Sequence, residues 1–156
     1  MKKYILCLAI IAILCSFLSC TSERDCFGFS KKDFVVVEED DTHGAFGDGS
    51  YLLILDCSTN KQKALELIEG WSTIDDMSEP IDIIMYGEQK DGWGYNLAEQ
   101  AKMPRIQNGY YCFYDRHYKA QYPYDATDLL KRASFNFSLA VYDTDSDIMY
   151  YFEYDT

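Results

Sequence analysis

Residues 134–154, SFNFSLAVYDTDSDIMYYFEY, carry the strongest structural signal in the chain. Two β-prone runs, 134–142 and 148–154, flank the turn-forming segment 143–147. Apolar residues alternate along both runs, at Phe135, Phe137, Leu139 and Val141 in the first and at Ile148, Tyr150 and Phe152 in the second. The pattern predicts a β-hairpin whose apolar side covers a helix or a second layer.

Other stretches upstream also have the composition of β-strands, namely 34–37, 51–55, 81–86 and 110–114. The strand at 34–37 runs into the acidic stretch 38–41 and then into a glycine-punctuated loop over 42–49. Residues 51–55 are apolar throughout, which indicates burial on both faces and a central position in the sheet.

The clearest helix is predicted over about 60–69, and its buried stripe consists of Ala64, Leu65, Leu67 and Ile68. Shorter helical segments are expected near 96–103, where Pro104 ends the helix, and at 127–132. Several strands in sequence with one good helix among them predict an α+β domain. Its mainly antiparallel sheet should have about five to six strands.

The N-terminus reads as an export signal. Its first residues are basic, and the run 4–18 is almost wholly apolar. A membrane-crossing helix needs about 20 apolar residues, whereas a signal peptide needs only a basic end and a shorter apolar centre. The sequence turns polar from Thr21 onward, so residues 1–19 are predicted to be a removable signal peptide.

The tetrapeptide Phe17-Leu18-Ser19-Cys20 resembles the lipobox of bacterial lipoproteins, in which a small residue precedes the cysteine that receives lipid. Ser19 and Cys20 match that pattern, while Phe17 and Leu18 are bulkier than its commonest residues but keep its apolar character. The resemblance implies lipidation of Cys20 with palmitate-type chains and anchoring to the cell membrane or outer membrane. It covers about the first 20 residues and implies nothing about the folded part.

After the signal we expect a tether over 20–33 and one globular domain over 34–156. All 26 acidic residues lie after the signal, and 12 basic residues remain there, which gives a formal charge of −14. This charge disfavours nucleic acid, because binding to it depends on basic side chains that neutralise phosphates. It favours a basic protein or a cation, and it also serves solubility.

The mature chain keeps three thiols, Cys26, Cys57 and Cys112. In an oxidising compartment the favoured disulfide is Cys57 with Cys112, since both lie in strand-like segments and Cys26 lies in the tether. Buried free cysteines are an equal alternative. The chain has no Cys-x-x-Cys pair and only two histidines, so neither a zinc site, a thiol redox motif nor a cofactor is predicted.

The series Asp143, Asp145 and Asp147 has the spacing that opens a calcium-binding loop. Such a loop also needs glycine at its sixth position and glutamate at its twelfth, where this chain has Ile148 and Tyr154. We therefore predict a hairpin turn there and no metal site.

The glycine-rich loop 40–49 matches neither the P-loop nor the dinucleotide-binding fingerprint. Within it His43 and Asp48 are a candidate acid–base or ligand pair, although a flexible connection is the favoured interpretation. A second candidate is Asp115-Arg116-His117, where no Ser or Cys nucleophile stands in a recognisable context. No catalytic residue is therefore assigned.

Tyrosine is abundant, with 14 residues, and the candidate binding surface comprises Tyr110, Tyr111, Tyr114, His117 and Tyr118. Strand aromatics of this kind are also common in cores. Two functions from different classes stay open. The favoured one is a non-enzymatic binding protein for a protein or saccharide, with an inhibitor or immunity-type role as a special case. The alternative is a small extracytoplasmic hydrolase or metal-assisted enzyme using His43, His117 and nearby aspartates.

Overall fold

The computed structural model describes residues 27–45, 47–87, 95–117, 120 and 122–156. The predicted signal peptide and Cys20 lie outside the described residues, as do Cys26 and Tyr118. Their predicted roles therefore stay predictions.

One antiparallel sheet organises the described part of the chain. Its strands are β1 (Val35–Asp41), β2 (Gly49–Asp56), β3 (Ser72–Thr73), β4 (Gly109–Asp115), β5 (Asn136–Asp143) and β6 (Ile148–Asp155). Their spatial order is β1-β2-β6-β5-β4-β3. The α-helices are α1 (Lys61–Leu67), α2 (Glu79–Tyr86) and α3 (Leu97–Gln100), and short 3-10 turns occupy Lys31–Asp33, Ser58–Asn60, Ile74–Asp76 and Leu129–Lys131. The predicted α+β class is confirmed.

The predicted C-terminal hairpin forms the centre of this sheet. Strands β5 and β6 pair from Asn136 with Asp155 to Asp143 with Ile148. Both strands are buried along almost their whole length, because β2 and β4 flank the hairpin and layers cover both of its faces. The hairpin is therefore buried on both faces, whereas the sequence pattern predicted one apolar side.

Each face of the sheet has its own apolar core. On one side, here called the α2 face, helices α2 and α3 pack against Phe137, Leu139 and Val141 of β5. On the other, the α1 face, Ala64 and Ile68 pack on side chains of β2, β5 and β6 that include Leu55, Ala140, Tyr142, Met149 and Tyr151. Alternate strand residues point to opposite faces, so the sheet divides its side chains between the two cores.

The prediction of a strand at 81–86 is wrong, because these residues form α2. Pro80 occupies the first turn, where the missing N–H costs nothing, and Ile81, Ile84 and Met85 are buried at helical spacing. The neighbouring Ile83 is 38% exposed, as expected on the outer side of an amphipathic helix. A short apolar run fits either structure, and here the helical spacing decides.

The strand predicted at 34–37 is longer than expected, since β1 continues through the acidic stretch to Asp41 and pairs with β2. Strand β3, of two residues, has no counterpart among the predictions. The helix expected over 60–69 corresponds to the turn Ser58–Asn60 followed by α1, and the helical turn expected at 127–132 is the 3-10 turn Leu129–Lys131.

The packed domain begins earlier than the expected boundary at residue 34. Phe27 is 5% exposed and belongs to the core of the α1 face. Its ring centroid lies 5.5 Å from that of Tyr151, and the ring of Phe29 lies 5.1 Å from the same tyrosine. The last part of the predicted tether therefore contributes aromatic contacts to the domain.

Candidate functional site

Four charged side chains and one amide converge on the α1 face at the end of the sheet where β2 begins and β6 ends. This charged cluster consists of Asp41, His43, Arg116, Asn136 and Asp155. Asp41 ends β1, His43 lies in the loop after it, and Arg116 comes directly after β4. Asn136 and Asp155 face each other across β5 and β6. The topology therefore gathers residues from four different strands at one place.

His43 bonds to a carboxylate through each ring nitrogen. Its Nδ1 lies 2.7 Å from Asp41 Oδ1, and its Nε2 lies 3.0 Å from Asp155 Oδ2. Burial is the largest single influence and opposes protonation, but the two hydrogen bonds and the negative charges outweigh it and raise the pKa of His43. Because ionised carboxylates only accept hydrogen bonds, this geometry favours the doubly protonated imidazolium.

Asp155 is the centre of the charged cluster. It is 9% exposed, and its Oδ1 accepts a hydrogen bond from Asn136 Nδ2 at 2.9 Å. The guanidinium of Arg116 donates to Asp155 Oδ2 at 2.9 Å and to the carbonyl oxygen of Phe137 at 3.0 Å. Burial opposes the charge of Arg116, but the bond to Asp155 prevails and raises its pKa. The buried carboxylate is thus compensated, as a charge of this kind requires.

A glycine allows the loop of His43 to approach the sheet. Gly49 opens β2 with φ +153°, and a Cβ atom there would come within 2.6 Å of the Cα of His43. Any side chain at this position would push the loop away from Asp155. Gly49 is therefore part of what holds His43 in place.

His43 joins Asp41 and Asp155 by hydrogen bonds and charge, an arrangement here called the clamp. A general base needs a ring nitrogen free to take a proton, whereas both nitrogens of His43 already face carboxylates. The predicted pairing of His43 with Asp48 is wrong, because His43 pairs with Asp41 and Asp155 instead. The clamp ties the end of β1 to the end of β6.

His117 lies close to the same end of the sheet. Its backbone N–H donates to Asp115 Oδ1 at 3.0 Å, and Asp115, 6% exposed, also forms a 2.8 Å ion pair with Arg132. Through Arg116 this segment is linked to Asp155 and so to His43. The segments of His43 and His117 are therefore linked through Asp155 and Arg116. Asp115 is held in its ion pair with Arg132.

The tyrosines of β4 do not share one face. Tyr110 and Tyr114 pack on the core of the α1 face, whereas Tyr111 is 8% exposed within the core of the α2 face. The hydroxyl of Tyr111 donates to the carbonyl oxygen of Asp76, and the ring of Tyr114 lies 5.3 Å from that of Tyr124. Strand alternation therefore divides the predicted tyrosine surface between the two cores.

The proposed disulfide between Cys57 and Cys112 is wrong. Both thiols are free, and the register places Cys112 beside Ala140, then Tyr151, then Leu53. Three inter-strand steps of about 4.8 Å separate Cys112 from β2, far beyond the Cα separation of about 4–7 Å that a disulfide tolerates. Burial raises the pKa of Cys57 to about 12 and that of Cys112 to about 11, so neither is a thiolate near neutral pH.

The aspartates of the hairpin turn are engaged in hydrogen bonds. Asp143 accepts from the N–H of Asp145 and from the hydroxyl of Ser146, and Asp147 accepts from Tyr142 and Lys61. Within the described ranges, no group of three or more acidic, histidine or cysteine side chains is arranged to hold a metal ion.

Strand β1 exposes several apolar side chains in a row, a feature that the sequence did not single out as a binding surface. In β1 three consecutive valines, Val35, Val36 and Val37, are 51%, 42% and 58% exposed. Among the described residues this strand is the outermost of the sheet and pairs only with β2. The signal in the sequence is a valine triplet directly followed by four acids. This pattern lacks the alternation of apolar and polar residues that a strand covered on one face has.

Comparison with known proteins returns no relative. No protein-family model matches the chain, and no curated protein or solved structure matches it. Among the residues that the structure describes, no helix has the length and apolar content needed to cross a membrane.

Proposed function

We propose that this protein is an exported, lipid-anchored and non-enzymatic binding protein that contacts a partner protein through β1. The observation that carries the proposal is the run of exposed valines on that outermost strand. Exposed apolar side chains concentrated in one segment are typical of interaction surfaces. Because successive strand residues point to opposite faces, this run presents valine on both faces of β1. The lipobox-like segment ending at Cys20 supports display on a membrane, since two or more acyl chains give stable anchoring.

The alternative is a hydrolase or metal-assisted enzyme that uses His43 and His117. In its favour, both histidines belong to segments linked through Asp155 and Arg116. Against it, both ring nitrogens of His43 are bonded to carboxylates, and burial raises the pKa of both described thiols. A charge clamp that stabilises the sheet explains the same contacts without any substrate.

Site-specific photo-crosslinking tests the binding proposal in cells that produce the full chain. A photoreactive phenylalanine analogue replaces Val37, and a matched variant carries it at Ile83, an exposed apolar residue of α2. We expect a discrete adduct with a second protein from position 37 and none from position 83. The absence of any adduct at position 37 contradicts binding through β1, and equal labelling at both positions indicates random collision.

A further inference from the structure

Strand β1 offers its unpaired side to another backbone. In the described part of the chain it pairs with β2 on one side and with no strand on the other. This outer strand of seven residues has an irregular register between Val36 and Glu38, and on either side of it the backbone presents N–H and C=O groups that a further strand can bond. At the opposite edge β3 has only two residues and pairs with only Tyr110 and Tyr111 of β4. Among the described strands β1 is therefore the longest outer strand, and its valines are exposed.

The side chains of this edge carry negative charge on both faces. Glu38 and Asp40 pair with Ile54 and Leu52 of β2, whose side chains face α2, whereas Glu39 and Asp41 pair with Leu53 and Tyr51, which face α1. Lys31 compensates Glu39, and His43 compensates Asp41. Glu38 and Asp40 have no hydrogen bond or ion pair with other described residues. Their charges are thus available to a ligand.

A second copy of this chain fits the edge poorly. If two β1 strands paired antiparallel with full overlap, Glu38 would lie directly opposite Glu38 of the other copy, and parallel pairing would align all four acids. Like charges opposite each other in a sheet are destabilising. Each chain also carries a formal net charge of −12, so two copies repel each other before contact.

We infer that β1 accepts an extended, basic strand of another protein, which adds to the sheet beside it. Main-chain hydrogen bonds would supply affinity, as in other cases of strand addition. The valines would contact β-branched side chains of the incoming strand, and lysines or arginines on it would face Glu38 and Asp40. This inference rests on the proposed function and specifies the partner's chemistry.

The test uses the full chain in detergent and a fluorescent nine-residue peptide of alternating lysine and valine, whose binding is followed by anisotropy. One comparison peptide replaces lysine with glutamate, and another carries N-methyl groups on alternate backbone nitrogens, which prevents strand addition while keeping the charge. Hydrogen exchange of β1 is measured in parallel. We expect the Lys–Val peptide alone to bind and to protect β1 amides.

The charge requirement is tested with the double variant Glu38→Lys/Asp40→Lys. Its matched control is Glu66→Lys/Glu69→Lys, which changes the net charge equally at exposed positions near α1. We expect the first variant to weaken binding at least tenfold and the control less than threefold, with both melting as the wild type does.

Equal binding of the N-methylated peptide, or equal weakening by the two double variants, would overturn strand addition in favour of general attraction between charges. A photo-crosslink at Val37 combined with no binding of the Lys–Val peptide would overturn this inference while leaving the proposed function standing. If neither is observed, both proposals fail.

Discussion

Replacement of Tyr151 tests how the core of the α1 face is held together. Tyr151 in β6 is fully buried, and its ring contacts the rings of Phe27, Phe29 and Tyr51 at centroid distances of 5.5, 5.1 and 6.1 Å. Its hydroxyl donates to the buried carboxylate of Glu153. One residue thus combines apolar packing with compensation of a buried charge.

The two contributions separate in a pair of variants. Tyr151→Ala removes the ring and should cost about 3–5 kcal/mol, as for other large aromatic-to-alanine changes in cores. Tyr151→Phe keeps the ring but takes one donor from Glu153, which should cost about 1–3 kcal/mol. For a domain of this size these losses correspond to falls in Tm of roughly 10–20 °C and 3–10 °C.

Urea and thermal unfolding of the full chain in detergent measure both values. Tyr124→Ala is the matched control, because this tyrosine is 67% exposed and its removal should cost no more than about 0.5 kcal/mol. An alanine variant at position 151 that melts within a few degrees of the wild type would refute the packing described for this face. A phenylalanine variant as unstable as alanine would show that the hydroxyl outweighs the ring.

Three further outcomes are expected. Deletion of residues 150–156 should abolish the cooperative melt, because it removes most of the strand between β2 and β5, and a circular dichroism melt near wild type would contradict this. Because its pKa is raised on folding, His43 should contribute stability that is fully present below pH about 6.5 and is lost as the pH rises through the folded pKa. That pH-dependent step should be missing in melts of His43→Gln. Cys57 and Cys112 should resist iodoacetamide at pH 8 until denaturant is added, with mass spectrometry as the readout and rapid native labelling as the contrary result.

Much of the fold could be predicted from local pattern. The hairpin of β5 and β6 has unbroken apolar alternation and a turn-forming segment, and both signals act over a few residues. The same reasoning failed at 81–86, where Ile81, Ile84 and Met85 follow the helical period within a run short enough to be read as a strand. Pro80 indicates a helix over these residues, since proline is favoured in the first turn of a helix.

The site was far less predictable. His43 was recognised as a candidate, but its partner Asp155 lies 112 positions away in the chain, and only the sheet register brings them together. Strand alternation places Tyr110 and Tyr111 on opposite faces of the sheet. That both pack on an apolar core depends on both faces being covered. The exposure of Val35–Val37 likewise depends on β1 being the outermost strand, which no local pattern specifies.

The claim that this protein acts from a membrane surface is tested most directly at Cys20. Cells producing the full chain or the Cys20→Ser variant are grown with radioactive palmitate, and the immunoprecipitated protein is examined for label. The wild-type protein should carry the label and the variant should carry none, because only the thiol can take the diacylglyceryl group. Label that survives the substitution, or a wild-type protein without label, would contradict the lipid anchor.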